Sequence, residues 1–499
     1  MKKKTMFMRA LAVSAALAIS GAGGTTFVQA EEDVLRDGEM TTLRMVFPGG
    51  TSSPASLEAV EQGLNEIIAE YMDAEIQLEI LEWGVFGEQQ KLMLSSGEDI
   101  ALMFTMTSSL NFAASNQVMD ITELCETYAA DALEMLGEYT NACRVGDKLY
   151  GLPTFHEYTQ AGGLVCRTDI LDELGIDPKS VKNWNDVEEV LLQVKEAKPE
   201  LNLLGPVEVN SGILDYYNQG IFDELANGTG VAVYASGDGT EVVNMYDTPE
   251  FMELAEKAYD WSQKGYFIPD ATTLTDTRQD LLAAGSIFGY IGIIHPGTAT
   301  QELKNSGVEV TTIPITEKSM YTNSVNFAQY MVPVACTTPE KAVKLLDILM
   351  TNEEAANLLM YGVEGTDYVV KDEAAGIVGY PDGVTSSTVG WNNETWLAGN
   401  GSLAKVWESE PADIWEQYNT FNESATKSPL FGFTYDTANV KNEISAISNV
   451  ITKYKAVICA GYSEPKETVE KMVSELEAAG IQKVMDDAAA QIEAWRAQQ

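Results

Sequence analysis

Between residues 43 and 104 the chain switches hydrophobic period four times, and this alternation limits the possible folds more than any other feature. Residues 43–47 form a short apolar run closed by the turn signal Pro48-Gly49-Gly50. Ser53-Pro54 then supplies an N-cap and a first helical residue, and Leu57, Val60, Leu64, Ile67, Ile68 and Tyr71 recur at helical spacing. Ile76, Leu78 and Ile80 alternate with Glu75, Gln77 and Glu79, the period of a half-buried strand. A short helix holding Lys91 to Leu94 leads through Gly97-Glu98-Asp99 to residues 100–104, apolar at every position. A strand buried on both faces between crossover helices belongs to a parallel sheet with right-handed connections. The fold class is therefore α/β.

The same signals continue downstream. Residues 148–153 and 162–166 read as extended, 185–195 and 248–261 as helices, and 286–294, 308–315 and 326–334 as strands. Helices over 339–350 and 353–361 follow. The last seventy residues are helical throughout: Val440, Ile444, Ile447, Ile451, Tyr454 and Ile458 step by four and three, and Val469, Met472, Val473 and Leu476 line a second helix stopped by Gly480. Ile481, Val484, Met485, Ala488, Ile492 and Trp495 line a third. No internal repeat or Pro/Ser-rich linker interrupts the 499 residues, so the two or three domains expected at this length are joined by ordered crossovers.

Charge narrows the partners. Seventy-five acidic residues oppose 31 basic ones, for a net charge of −44, while 45% hydrophobic content marks a folded chain. Such a surface repels phosphate backbones and anionic lipid, so nucleic acid is not an expected partner. Residues 1–30 combine Lys2, Lys3, Lys4 and Arg9, an apolar stretch over 10–19, and Val28-Gln29-Ala30, the pattern of a signal peptide cut after Ala30. That stretch is shorter than the roughly twenty residues a membrane span needs. The first cysteine is Cys125, so no lipobox cysteine is present and the expected location is extracytoplasmic without a lipid anchor. Five scattered cysteines leave at least one thiol unpaired; Cys125 and Cys143 could pair, or all five could be small buried residues.

The strongest short signatures of catalysis are missing: there is no GxxxxGK[ST], GxSxG, HExxH or tandem CxxC. Two histidines do not make a zinc site, so no metal or cofactor is expected. Many accidental Asp/Glu pairs leave a glycoside hydrolase open as an alternative.

The segments Lys91-Leu92-Met93-Leu94-Ser95-Ser96-Gly97-Glu98-Asp99-Ile100, Gly146-Asp147-Lys148-Leu149-Tyr150-Gly151-Leu152-Pro153 and Leu164-Val165-Cys166-Arg167-Thr168-Asp169-Ile170-Leu171 resemble the extracellular solute-binding proteins of family 1, the sugar-type receptors of ABC importers. Trp184-Asn185-Asp186-Val187, Thr338-Pro339-Glu340-Lys341-Ala342 and the stretch from Ser428-Pro429 to Asn442-Glu443 extend the likeness to a large Firmicutes-type branch. The resemblance implies a two-lobe periplasmic-binding-protein-like type II fold with a helical C-terminal region, acting as a monomer. It implies a small-molecule solute, with carbohydrate first, and an ABC permease as partner. A peptide or polyamine receptor of the same fold stands as a further alternative, because the acidic charge could mark a cationic ligand.

On this basis residues 31–157 and 295–325 are expected in lobe 1, 158–294 and 326–430 in lobe 2, and 431–499 in the C-terminal helices, with crossings near 154–163, 294–297 and 323–328. A sugar site needs flat aromatic platforms and side chains that pair with hydroxyls. Loops at the C-terminal ends of parallel strands face the crevice, which nominates Thr51, Trp83, Thr107, Ser108 and Asn111. The crossings add Glu157, Tyr158 and His295. Trp391 and Trp396, from a tryptophan-rich stretch, and Tyr435, before the long C-terminal helix, complete the candidates.

Overall fold

The computed structural model describes residues 34–50, 52–226, 228–391, 393 and 395–498. The expected signal peptide and Thr51 lie outside the described residues. Among the described residues no helix is long and apolar enough to cross a membrane.

The first lobe begins as the sequence pattern predicts. Strand β1 (Thr41–Gly49), helix α1 (Pro54–Ile68), strand β2 (Ala74–Glu82), helix α2 (Trp83–Ser96) and strand β3 (Leu102–Thr105) follow one another. β1 pairs in parallel with β2 over nine residues and with β3 on its other side. Ser53 caps α1 by accepting from the Ser56 N–H at 3.1 Å, and Val60, Leu64, Ile67 and Ile68 face the core. Strand β4 (Leu152–Pro153) then leads to the first crossing.

Strand β5 (Thr159–Arg167) opens the second lobe and runs along its centre, with β6 (Asn202–Gly205) and β7 (Ile287–Ile294) beyond it. Helix α3 (Thr298–Ser306), strand β8 (Val310–Pro314) and strand β9 (Ser319–Met320) stay in this lobe, since β8 and β9 both pair with β5. Only then does the chain return. Strand β10 (Gln329–Met331) inserts antiparallel between β3 and β4 and completes a first sheet of order β2-β1-β3-β10-β4.

The strand pairing corrects the expected boundaries. Residues 295–325 belong with lobe 2, and the stretch from 326 to the helix that begins at Ile414 with lobe 1, where helices α4 (Pro339–Thr351) and α5 (Glu353–Tyr361) pack into the first core beside Leu43, Leu64 and Tyr330. The turn at His295-Pro296-Gly297 is a connection within lobe 2 and not a crossing. An apolar run identifies a strand; it does not say which of two similar sheets the strand joins.

A third crossing follows. Helix α6 (Ile414–Glu423) carries the chain back to strand β11 (Thr426–Lys427), which pairs with β9. α6 is pinned to the first crossing by the fully buried Asn422, whose Oδ1 accepts from the Tyr158 N–H at 2.8 Å and whose Nδ2 donates to the His156 carbonyl at 2.9 Å. Asn422→Ala strands two buried backbone groups, so a loss of about 2 kcal/mol is expected in denaturant unfolding; an unchanged midpoint would show that this link is slack.

Helices α7 (Lys441–Cys459), α8 (Pro465–Ala479) and α9 (Ile481–Arg496) form the C-terminal unit, with Gly480 in the left-handed region at φ 95° ending α8. Their apolar faces join Val231, Val233, Tyr246 and Phe251 in one core, so the unit is built onto lobe 2. All five cysteines are free and buried, and burial pushes the Cys125 thiol up to about 12.

Candidate functional site

The lobes enclose a cavity of about 990 Å³, at the upper end of small-molecule sites. One wall is the loop after β3. Thr105 Oγ1 accepts from the Thr107 N–H at 3.1 Å and donates to the Thr107 carbonyl, which turns the chain out of the strand. Two residues of the second crossing hold this loop in place. Asn326 Nδ2 donates to Ser108 Oγ at 3.2 Å and to the Ala142 carbonyl at 2.8 Å, and Gln329 Nε2 reaches the Thr107 carbonyl at 3.3 Å. Thr107, Ser108 and Asn111 line the cavity, the first and last with exposed side chains.

The first crossing forms the floor. The two candidates there face different ways. Glu157 faces the cavity, with Oε1 3.8 Å from His295 Nδ1. Tyr158 turns into the core, fully buried, its hydroxyl on the Thr154 carbonyl at 2.9 Å. Tyr158 is thus corrected from a cleft residue to a core residue. His156 lines the cavity edge, with Nδ1 2.9 Å from the Thr154 carbonyl; burial holds its imidazole below the usual range. His295 lines the lobe 2 side.

The tryptophans divide differently. Trp391 is buried in the lobe 1 core and donates Nε1–H to the Leu359 carbonyl at 3.0 Å, so it too is corrected to a structural residue. Trp83, first residue of α2, and Trp396 do not line the cavity; they pack on each other at 5.6 Å between centroids. Trp396 also meets Phe327 at 5.7 Å, and Phe327, 44% exposed, does line the cavity. Tyr435 lines it as well, its hydroxyl anchored on Asp487 Oδ2 at 3.0 Å.

Lobe 2 supplies residues that the sequence reading missed. Arg278 and Glu302 pair at 2.8 Å, Glu302 is almost fully buried, and the guanidinium lies 5.5 Å over the Tyr290 ring. Tyr216, Gln219 and Lys455 also line this side. They come from segments far apart in sequence, so no spacing connects them. The rarity of cations in so acidic a chain was the one available signal for Arg278 and Lys455.

Six carboxylates line the cavity, from Glu157, Glu208, Asp215, Asp223, Glu224 and Glu302. Most are already engaged. Glu208 accepts from the Tyr216 hydroxyl at 2.9 Å, Glu224 from the Thr229 and Gly230 N–H groups, and Asp223 from Ser428 Oγ. Burial raises the Asp223 carboxyl to about 6.

Two α/β sheets of this order, three crossings and an inter-lobe cavity define a two-lobe binding protein, and the chain belongs to the bacterial extracellular solute-binding proteins, whose family model matches residues 54–356. A second family model, a domain of unknown function (DUF3502), matches residues 429–497. Among particular proteins, the chain is 26% identical over 495 residues to a carbohydrate ABC transporter substrate-binding protein of Streptococcus pneumoniae serotype 4, covering 97% of this chain and 96% of that one. The crystal structure of the N-glycan transport solute-binding protein NgtS of S. pneumoniae is similar at a TM-score of 0.79 and 25% identity, covering 91% of this chain and 99% of that one. NgtS in complex with Man1GlcNAc gives 0.69 over the same shares, and in complex with Man5GlcNAc 0.65 over 90% and 97%, both at 25% identity.

Proposed function

We propose that the protein is the extracytoplasmic solute-binding component of an ABC importer and that it captures an oligosaccharide between its lobes for delivery to a membrane permease. The observation that carries this reading is the 990 Å³ inter-lobe cavity, whose wall mixes hydroxyls and amides with the aromatic faces of Phe327 and Tyr435. Hydroxyl-rich ligands with apolar C–H faces match such a lining. The relatives that transport carbohydrate or N-glycan support the ligand class. In-house hydrogen bonds already occupy most cavity carboxylates, which favours a neutral sugar over a polyamine or cationic peptide.

Capture works by hinge closure. Thr107, Ser108 and Asn111 approach from lobe 1, His295 and the Arg278–Glu302 pair from lobe 2, and Glu157 stands on the crossing between them. Micromolar affinity needs about 8 kcal/mol, which a few hydroxyl bonds and one or two stacked rings supply. No bond in the ligand is broken. The protein is exported by a signal peptide cut after Ala30 and acts outside the cytoplasm.

A thermal-shift panel of Man1GlcNAc, Man5GlcNAc, other oligosaccharides, peptides and polyamines tests this. At least one glycan should raise Tm by mass action and be recovered intact by mass spectrometry. A response to polyamines or peptides alone would move the ligand class, and a shortened glycan would make the protein a hydrolase.

A further inference from the structure

The C-terminal helices do more than pack on lobe 2: Phe433, Thr434, Tyr435 and Lys455 from this unit line the cavity. The segment that carries the aromatic pair is firmly held. Thr322 Oγ1 accepts from the Gly432 N–H at 2.8 Å and donates to the Leu430 carbonyl at 3.2 Å, and Phe433 meets Trp495 at 5.7 Å.

Lys455 is unusual among the cations of this chain. It sits half-buried on α7, and among the described residues its ammonium makes no hydrogen bond or ion pair. Burial opposes its charge, but the nearby carboxylates of Asp215, Glu224 and Glu208 outweigh that and keep it protonated. Asp215, also on the cavity wall, accepts from the Gly212 N–H at 3.3 Å through Oδ2 and lies against the Cys459 thiol, and its buried Oδ1 has no partner of hydrogen-bond geometry. Thr434 Oγ1 is buried and unpartnered too. An ammonium donates and a carboxylate accepts, so a hydroxyl lodged between the two can accept from the first and donate to the second.

We propose that the C-terminal unit, the domain of unknown function, is a ligand-recognition element of this protein, and that Lys455 with Asp215 clamps one hydroxyl of the bound solute. The proposal rests on the oligosaccharide reading above. It assigns the unit a third wall of the site, beside those of the two lobes.

Isothermal titration of the full chain with Man1GlcNAc and Man5GlcNAc tests it. Lys455→Met should weaken binding of at least one glycan about tenfold or more, the loss expected for a hydrogen bond from a charged group. Lys453→Met, two positions away on the exposed face and paired with Glu475, should leave affinity unchanged. Hydrogen exchange on the unmodified protein provides a readout independent of variant folding: glycan should protect the amides of 433–437 and 451–459. Glycan binding by the parent with no loss in Lys455→Met and no protection of these segments overturns the clamp alone. Failure of the parent to bind these two glycans or any other oligosaccharide of the panel overturns the carbohydrate reading and the clamp with it.

Discussion

Arg278→Met is expected to destabilise the protein by about 3–5 kcal/mol, because it leaves the almost fully buried Glu302 without its ion-pair partner. The pair is a cavity wall as well as an ion pair, and the guanidinium also donates to the Val207 carbonyl at 3.2 Å. Removing both charges should be far milder than removing one: in Arg278→Met, Glu302→Leu most of the loss should return, since an apolar pair avoids the desolvation that the ions require. Denaturant unfolding of the parent, both single variants and the double variant gives the coupling directly. A single-variant loss below about 1 kcal/mol would mean that water reaches Glu302 and that this side of the cavity is open to solvent.

The second large effect is a gain. Asp223 sits buried beside Ser428, with its carboxyl raised from 3.8 to about 6 by burial. The folded state therefore holds the proton more tightly than the unfolded chain does. Stability from this group is fully present below about pH 4, declines as pH rises through the folded value near 6, and stays lost above it. A rise of that size corresponds to roughly 3 kcal/mol at neutral pH. Asp223→Asn, which keeps an acceptor for Ser428 Oγ, should raise the unfolding midpoint at pH 8 and leave it nearly unchanged at pH 4. An equal effect at both pH values would refute the assignment.

The local elements were legible because period and caps decide them. The alternation of Ile76 to Ile80, the Ser53-Pro54 start of α1 and the Gly480 stop of α8 all appear in the structure where the side chains require them. Sheet membership was not legible. Residues 308–315 and 326–334 look alike as apolar runs, yet the first pairs with β5 and the second, shortened to three residues, with β3 and β4. The site was half legible for the same reason. Thr107, Ser108 and Asn111 follow from the rule that loops after parallel strands face the crevice. Glu157 and Tyr158 are neighbours in sequence, and only the folded chain tells which one faces the cavity. Trp391 has the composition of a cleft residue, but its indole N–H was needed by the Leu359 carbonyl.

The position of β10 has a consequence for how the molecule is made. The fourth strand of the first sheet, which joins β4 to the parallel trio β2-β1-β3, comes from residues 329–331, and much of the core behind the sheet comes from α4 and α5, later still. A ribosome that has finished the first three hundred residues has therefore produced three paired strands whose outer edge at β3 is open and whose covering helices are missing. The amino-terminal half must wait, with its apolar faces uncovered, for a stretch not yet translated, and chaperone demand should be greatest during that interval.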